Sequence, residues 1–485
     1  MSEPKLQSEL KLFDVTNLVV GAIVGADIYV ASSFGAGYLG PFSLLVWVIA
    51  GLIAIIVALC FAQCAALIPK VGGPYAYTKE AWGPFAGFIV GWSLWMAEWI
   101  SLAVFPVAFT RYLMFFIPNL YITFQILVKV LFVSFLAAIN IIGVRVAGKI
   151  NDILTITKLV PLLFFSGIGL LFMFSHPSTA ASNLSPFLPY GFGNFGTALV
   201  LIFWAYAGFE ISTIPTDEIK TPEKTIPKAI ILGITIVTIF YLVTNIALFG
   251  MRPWAQLATD TTPLTSATAE VLGTSSLFAL VGAGIVGVGA LVSVAGSDES
   301  GMIGSSRLGY ALAVDGLFPH LFARIHKKFK TPYLTITIQT VTALLAAIFG
   351  NLTLLISTSV LFMAIAYIAT CGSIFSLRKK VAEPQYILKG GLIIPSIGTI
   401  FSFYLISQCT ITQIAIGLIL ILIGIPIYYA YSPKEEITEL KNSLLSRSSI
   451  LKKAYRQETR FLAYMLRYLK RSYRKVRHKK QTWES

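Results

Sequence analysis

The chain has 485 residues, of which 56% are hydrophobic and only 12% are charged, and its mean hydropathy is +0.78. This composition excludes an ordinary soluble domain and indicates a protein that resides in a lipid bilayer. The formal net charge is +15, and the residues after Ser432 supply most of it, with 15 Lys and Arg against 5 Glu. Residues 1–11 are polar and mixed in charge, so we expect no cleavable signal peptide.

Twelve segments are mainly apolar over about 20 residues, the length that an α-helix needs to cross the hydrocarbon core. They predict an all-α polytopic membrane protein with twelve transmembrane helices, here numbered as spans 1 to 12. The spans begin near Leu12, Phe42, Pro84, Ile122, Ile153, Phe195, Ile226, Leu277, Tyr333, Leu352, Leu392 and Thr412. Because twelve is an even number, both termini are expected on the same side of the membrane.

Lysine and arginine are concentrated in alternate loops, and short cytoplasmic loops normally carry this excess. One side holds basic clusters such as 220–228, 324–330 and 378–389, whereas the other side offers Arg111 and Arg252. We therefore expect a multi-pass protein of the plasma membrane with both termini in the cytoplasm. Lys129 does not fit this pattern, and we place it in the outer half of span 4, where its stem could extend toward the surface.

Span 1 contains GAIVGADIYV, residues 21–30, in which two glycines and Asp27 interrupt an apolar segment. Unpaired backbone groups are costly in hydrocarbon, so a membrane helix is interrupted where the loosened backbone faces a cavity or a ligand. Span 6 repeats the pattern in FWAYAGFE, residues 203–210. The sequence therefore predicts two broken helices, with a polar site near residue 27.

Two broken helices five spans apart predict a 5+5 inverted repeat with the site where they meet at mid-membrane. Spans 1–5, residues 12–176, form the first repeat and spans 6–10, residues 177–380, form the second. Spans 11 and 12, residues 381–432, are added outside the repeats. A cytoplasmic N-terminus, residues 1–11, and a basic cytoplasmic tail, residues 433–485, complete the predicted organisation.

Ionisable residues inside membrane spans are costly and are functional candidates by default. Five acids and one base qualify, namely Asp27, Glu98, Lys158, Glu210, Asp298 and Glu299. An excess of carboxylates in a low-dielectric cavity means that some are protonated, or that the cavity carries a cation or a proton. Neighbouring residues on a helix point about 100° apart, so at most one of Asp298 and Glu299 faces the cavity, and we favour Glu299.

Four motifs together carry a resemblance to a known family. They are GAIVGADIY in span 1, VGGPYAYTKEAWGPFAGFIVGW leading into span 3, FWAYAGFE with DEIKTPEKTIPKAI after span 6, and GSSRLGYALAVDGLFP closing span 8. Over residues 11–432 the chain resembles the amino acid, polyamine and organocation (APC) superfamily of permeases. The resemblance implies the leucine transporter fold, a substrate held between spans 1, 3, 6 and 8, and transport by alternating access.

In span 1 the resemblance places the family's substrate-binding turn on Gly25, Ala26 and Asp27, next to Ile23, with backbone amides receiving the substrate carboxylate. The third position of that turn is usually glycine, so Asp27 is a departure. Two negative charges about 5 Å apart at an effective dielectric near 20 repel by roughly 3 kcal/mol, more than a hundredfold in affinity. An alternative substrate is therefore a polyamine or decarboxylated amine, with Asp27 as its counter-ion.

In span 6 the resemblance implies that Trp204 is an aromatic gate and that carbonyl groups from Ala205 to Ala207, beside Gly208, receive the substrate ammonium. It also implies that Glu210 is a proton or gating acid. Two alternatives stay open, since Trp204 could be interior packing and Glu210 could cap exposed backbone in the break.

In span 5 the resemblance places Lys158 where a lysine replaces the sodium ion of sodium-coupled relatives. A buried lysine can lose and regain a proton as a carrier changes state. The alternative is a permanent ion pair between Lys158 and Asp298 or Glu299. In span 3, two roles for Glu98 are equally compatible with the sequence. Glu98 either binds a substrate amine or forms a hydrogen bond to a neighbouring helix.

These observations predict a secondary active transporter of amino acids or related organic amines, proton-coupled and sodium-independent, with a non-transporting nutrient sensor as a further alternative. No nucleophile and base pair or phosphate loop indicates an enzyme. The spacing of the four cysteines and four histidines supports neither disulfides nor a metal site, and we expect no cofactor. The basic tail is expected to bind anionic lipid rather than nucleic acid, or to be merely solvated. The oligomeric state is open.

Overall fold

The computed structural model describes residues 10–70, 72–213, 219–380, 391–433 and 437, with the backbone alone at 144–152, 211 and 212. In these ranges the chain is helical apart from turns and one isolated bridge between Leu10 and Ile219. The basic tail lies outside the described residues except for Pro433 and Ile437. The expectation that it binds anionic lipid therefore stays a prediction.

The helices of the first half alternate between long apolar segments and short connecting helices. They are α1 Leu12–Ile23, α2 Ala26–Leu39, α3 Ser43–Leu67, α4 Pro74–Trp82, α5 Pro84–Phe116, α6 Ile122–Ile142, α7 Val144–Ser175, α8 Pro177–Asn183 and α9 Phe195–Phe203.

The second half continues with α10 Pro222–Met251, α11 Trp254–Leu257, α12 Pro263–Val271, α13 Leu277–Val314, α14 Tyr333–Phe349, α15 Leu352–Lys380, α16 Ile393–Ser407 and α17 Ile411–Tyr431. Most of the long helices begin within a few residues of the predicted span starts. The α7 helix begins earlier than predicted, at Val144 rather than near Ile153. The α10 helix begins at Pro222 rather than Ile226, because proline is well suited to the first turn of a helix.

By length and composition, eight segments of the described chain are long and apolar enough to cross a membrane. Four shorter apolar helices, Leu12–Ile23, Phe195–Tyr206, Tyr333–Phe349 and Ile393–Ser407, coincide with parts of predicted spans 1, 6, 9 and 11. Large apolar side chains such as Phe174, Phe349 and Ile411 are more than four-fifths exposed, as expected for surfaces that contact lipid. The prediction of an all-α membrane protein is confirmed.

The helices up to Tyr431 form one compact unit, and many side chains of the two halves of span 1 are buried in it. Helix α1 packs against α7, α10 and α13, whereas α2 packs against α9, α11 and α12. Helix α5 packs against both α13 and α15. A polar site at the junction of α1 and α2 is therefore enclosed by helices that are far apart in the sequence.

The short helix α4 is fixed to one end of α13. Asp315, the residue that follows α13, accepts a hydrogen bond from Tyr75 and forms an ion pair with Lys79 at 3.0 Å. Both partners of the ion pair are about one-third exposed, so the pair contributes orientation more than stability. These contacts hold the end of α13 against α4.

Candidate substrate site

Span 1 is interrupted at Val24 and Gly25, between the end of α1 and the start of α2. Val24 has extended backbone, with φ −73° and ψ 107°, and Gly25 has φ −147° and ψ −143°. The interruption leaves carbonyl groups without helical partners, and hydrocarbon offers no water to satisfy them. Side chains from α7, α10 and α13 lie within hydrogen-bond distance of four carbonyls. The Lys158 ammonium lies 2.5 Å from the Gly21 carbonyl oxygen, and the Tyr241 hydroxyl lies 3.1 Å from that of Ile23. The Ser297 hydroxyl lies 3.0 Å from the Val24 carbonyl oxygen, and the Ser293 hydroxyl lies 3.3 Å from that of Gly25.

Asp27 lies in the first turn of α2 and is 4% exposed. The backbone amides of Gly25 and of Asp27 itself lie near its carboxylate, and the Tyr241 hydroxyl lies 2.7 Å from Oδ2. An acid in this position is stabilised because the free N–H groups of a helix N-terminus carry partial positive charge. The amides that the resemblance assigns to a substrate carboxylate therefore already lie beside a carboxylate of the chain itself.

Span 6 is interrupted after α9, where a 3₁₀ turn Trp204–Tyr206 precedes extended backbone at Ala207 and a second 3₁₀ segment, Phe209–Thr213. Gly208 has φ +118°, a conformation that favours glycine. A Cβ atom at Gly208 would lie 2.6 Å from the carbonyl oxygen of Ala22, so the backbones of the two breaks touch here. The two interruptions thus form one continuous polar region.

Glu210 binds the backbone of the second break. Its Oε2 atom accepts a hydrogen bond from the Gly208 amide at 3.0 Å, and the Tyr367 hydroxyl donates to Oε1 at 3.2 Å. The side chain is fully buried and does not line the cavity described next. Its contacts match the alternative in which Glu210 caps exposed backbone, and they also place an ionisable group at the second break.

A cavity of about 40 Å³ lies where the two breaks face α5, α13 and α15. This volume accommodates about three water molecules. The lining residues are Ala22, Ile23, Asp27, Glu98, Ser101, Phe105, Trp204, Ala207, Gly208, Ser297, Gly301 and Met363. Both ionisable side chains in this lining are acidic, so the cavity suits a positively charged or hydrogen-bond-donating ligand.

Glu98 contributes the second carboxylate of the cavity from α5. It is 6% exposed, and in the described part of the chain its Oε1 atom has no hydrogen-bond partner. A buried carboxylate oxygen without a partner is costly unless a proton or a cation satisfies it. This geometry favours the interpretation of Glu98 as a ligand of a substrate amine over a bond to a neighbouring helix.

Trp204 lines the cavity and is held by residues of α5. Its indole Nε1 donates to the Ser101 hydroxyl at 3.2 Å, and that hydroxyl lies 2.8 Å from Ser359 Oγ. The ring of Phe105 lies 6.0 Å from the Trp204 ring, centroid to centroid. Trp204 therefore lines the cavity in a fixed orientation, as a gate or as packing.

Lys158 is fully buried in α7 and lies behind the first break rather than in the cavity lining. Its ammonium donates to the carbonyl of Gly21 and is close enough to Asp27 for the two charges to attract. Among the described residues it forms an ion pair with neither Asp298 nor Glu299, which contradicts the alternative of a permanent pair there.

The expectation that Glu299 faces the central cavity is wrong in this structure. Ser297 and Gly301 of α13 line the cavity, and they are four residues apart on one helix face. Glu299 lies midway between them, so it points to the opposite side, where its Oε2 accepts a hydrogen bond from Asn140 of α6 at 2.8 Å. Asp298 is also absent from the lining, and its two carboxylate oxygens have no hydrogen-bond partner in the described ranges.

The structure therefore brings six of the predicted binding residues into one cavity lining: Ile23, Asp27, Glu98, Trp204, Ala207 and Gly208. Gly25, Ala26 and Ala205 lie beside them in the breaks but outside the lining. Sequence reasoning missed Ser101, Phe105, Ser297, Met363 and the Asp27 partner Tyr241. One signal was available, because Ser293, Ser297 and Gly301 recur every four residues on one face of α13.

The comparisons with known proteins agree with this architecture. The family model described as amino acid permease matches residues 10–430. The chain belongs to the amino acid permease family. It is accordingly a multi-pass membrane transporter of amino acids or related compounds and not an enzyme.

Three relatives illustrate the breadth of this family. The permease is 29% identical to the branched-chain amino acid permease BcaP of Bacillus subtilis, over 89% of this chain and 94% of the relative. It is 26% identical to the serine/threonine exchanger SteT of the same organism, over 89% and 98% of the two chains. It is 29% identical to the mouse large neutral amino acids transporter small subunit 2, over 87% and 81%.

Proposed function

We propose that the permease is a secondary active transporter that moves amino acids or related organic amines across the cytoplasmic membrane by alternating access. The observation that carries this proposal is the cavity at the junction of two helix breaks. A carrier needs a site that is enclosed by segments able to change shape, and unwound backbone supplies both the shape change and oriented dipoles.

The proposed architecture is twelve spans with a 5+5 inverted repeat, residues 12–176 and 177–380, followed by spans 11 and 12. Breaks in spans 1 and 6, five spans apart, support the repeat. The concentration of Lys and Arg in alternate loops supports cytoplasmic termini.

The proposed substrate group in the cavity is an ammonium. Glu98 offers an oxygen that has no hydrogen-bond partner in the described chain. The carbonyl oxygens of the second break near Ala205 and Ala207 add further partial negative charge around the ammonium. Trp204 lines the cavity next to α5, where its indole donates to Ser101. An ammonium that satisfied Glu98 would remove the cost of its buried charge.

Proton coupling is proposed to depend on Lys158, with Glu210 and Glu299 as further proton-carrying or gating groups. Lys158 donates to Gly21 at the end of α1, so a change in its charge would alter the backbone of the first break. A charged ammonium at this place also supplies the positive charge that a sodium ion would otherwise provide. The permease is therefore proposed to be sodium-independent.

The coupling ion is tested by uptake of radiolabelled amino acids into proteoliposomes with and without sodium, and with and without an inward proton gradient. The proposal expects saturable uptake that the proton gradient increases and that sodium leaves unchanged. A strict requirement for sodium would refute the role given to Lys158.

One observation favours a second candidate, a carrier of polyamines or other decarboxylated amines. The carboxylate of Asp27 already lies beside the amides of Gly25 and Asp27, the groups that a substrate carboxylate would need. A carboxylated substrate would have to displace Asp27 or lie beside it, whereas an amine would pair with it. Asp27→Gly should then transport carboxylated substrates better relative to amines, and an unchanged preference would reject this candidate.

A further inference from the structure

One glycine lines the substrate cavity next to Glu98. Gly301 lies in the second half of α13 and contributes to the lining together with Ser297, which is one turn earlier on the same helix face. Ser297 fills its place against the first break, because its hydroxyl lies 3.0 Å from the Val24 carbonyl oxygen. Gly301 has no side chain, so the same face of α13 leaves space one turn further on.

The space at Gly301 has the size of a methyl group and lies beside the Glu98 carboxylate. A Cβ atom at this position would lie 3.3 Å from Leu102 Cδ2 and 3.9 Å from Glu98 Oε2. In the described chain no other heavy atom beyond the neighbouring backbone of α13 would lie within 4 Å. The contact with Leu102 is tight but involves the end of a flexible side chain, and the distance to Glu98 is ordinary van der Waals contact. An alanine therefore fits here, and its methyl group would occupy the space beside Glu98.

This space lies at the distance from Glu98 where a substituent of a bound ammonium would lie. A charge-assisted hydrogen bond holds the nitrogen of an ammonium about 2.7 to 2.9 Å from a carboxylate oxygen. A carbon atom bonded to that nitrogen then lies roughly 3.5 to 4 Å from the oxygen. The position that a Cβ would take at Gly301, 3.9 Å from Glu98 Oε2, falls within this range. The missing side chain therefore leaves room for a methyl group on the substrate nitrogen.

We propose that Gly301 sets the size of the ammonium group that the permease accepts, and that its missing side chain admits one N-methyl substituent next to Glu98. This inference rests on the proposed function, in which Glu98 pairs with the substrate ammonium. The substrate class then includes N-methyl amino acids or N-methyl amines beside their primary counterparts. An alanine at position 301 takes the space of the methyl group, so Gly301→Ala should exclude the N-methyl compounds and keep the primary ones.

Uptake into proteoliposomes with an inward proton gradient tests this proposal. The radiolabelled compounds are alanine, leucine, arginine and putrescine, each paired with its N-methyl derivative. The full-length wild type, Gly301→Ala and Gly284→Ala are compared over a range of substrate concentrations. Gly284→Ala is the matched control, because Gly284 also lies in α13 and no heavy atom lies within 4 Å of its added Cβ. Alanine forms helices better than glycine, so both variants are expected to fold.

The wild type should transport both members of at least one pair, with KM values that agree within about threefold. In Gly301→Ala the KM of the N-methyl member should rise at least about tenfold relative to that of the primary member, because one methyl group too many no longer fits. Gly284→Ala should keep the wild-type ratio. If uptake by Gly301→Ala is too slow to measure, thermal stabilisation of the same proteins by each compound gives the same comparison.

Two results would overturn this inference and leave the proposed function intact. One is an equal ratio of the two KM values in Gly301→Ala and the wild type. The other is a wild type that transports the primary compounds and rejects all of their N-methyl derivatives. Uptake of none of the primary compounds by the wild type would instead overturn the proposed function together with this inference.

Discussion

The Tyr241 hydroxyl lies 2.7 Å from Asp27 Oδ2 and 3.1 Å from the carbonyl oxygen of Ile23. A phenol has a single hydrogen to donate, so it can satisfy only one of these two acceptors at a time. One acceptor belongs to the side chain that lines the cavity and the other to the broken backbone of span 1. Tyr241 therefore links the charge of Asp27 to the shape of the first break.

Tyr241→Phe is expected to lower both thermal stability and transport, because two buried acceptors lose their donor. The cost in stability should be about 1 to 3 kcal/mol. Tyr206→Phe is the matched control, since Tyr206 is also buried and donates to a single backbone oxygen, that of Trp47 at 2.9 Å. Thermal unfolding and uptake are measured on both variants. If the two variants transported substrate equally well, the hydrogen bond between Tyr241 and Asp27 would have no role in transport.

Gly208→Ala should abolish uptake. An alanine there needs positive φ, and its Cβ would meet the Ala22 carbonyl and, at 3.1 Å, the Ile23 amide nitrogen. The control is Gly191→Ala, which has φ +63° but no heavy atom within 4 Å of the added Cβ. Uptake is measured on both variants. A defect in both would indicate backbone strain, whereas a defect in Gly208→Ala alone would indicate the close approach of the two breaks. Normal uptake by Gly208→Ala would contradict a tight contact between them.

Glu98→Gln should weaken the binding of amine substrates by at least about tenfold, because it removes the charge that an ammonium would pair with. Glu80→Gln serves as the control, since Glu80 is an exposed acid that pairs with Lys70 at 3.1 Å. The measurement is the concentration dependence of uptake for each variant. An unchanged KM in Glu98→Gln would remove Glu98 from the substrate site.

Lys158→Ala should reduce proton-driven accumulation by about tenfold or more, because the Gly21 carbonyl loses its charged donor. Thr155 lies one turn earlier on α7, also against Gly21, and its hydroxyl has no hydrogen-bond partner in the described chain. Thr155→Val should therefore accumulate substrate nearly as well as the wild type. If both variants lost accumulation equally, packing against Gly21 rather than the ammonium would be what matters.

The sequence was sufficient for the features that depend on local composition. Apolar segments of helix-spanning length marked where helices lie, and Gly25 and Gly208 marked both interruptions. What the sequence could not give depends on contacts between distant segments. Tyr241 is 214 residues from Asp27 and lies in an ordinary apolar helix, so nothing local distinguishes it from packing. The orientation of Glu299 likewise depends on which face of α13 turns toward the first break.

The most direct test of the central claim is counterflow by the wild-type permease in sodium-free proteoliposomes, using arginine with agmatine and ornithine with putrescine. The account predicts saturable, accelerated exchange of at least one member of each pair, because a cavity with two carboxylates binds the amino group that both share. Greater exchange of agmatine and putrescine would make Asp27 a substrate counter-ion, and the reverse order would leave Asp27 neutral or turned away. Absence of saturable exchange for all four compounds would contradict the assignment of this cavity to an amine-bearing substrate.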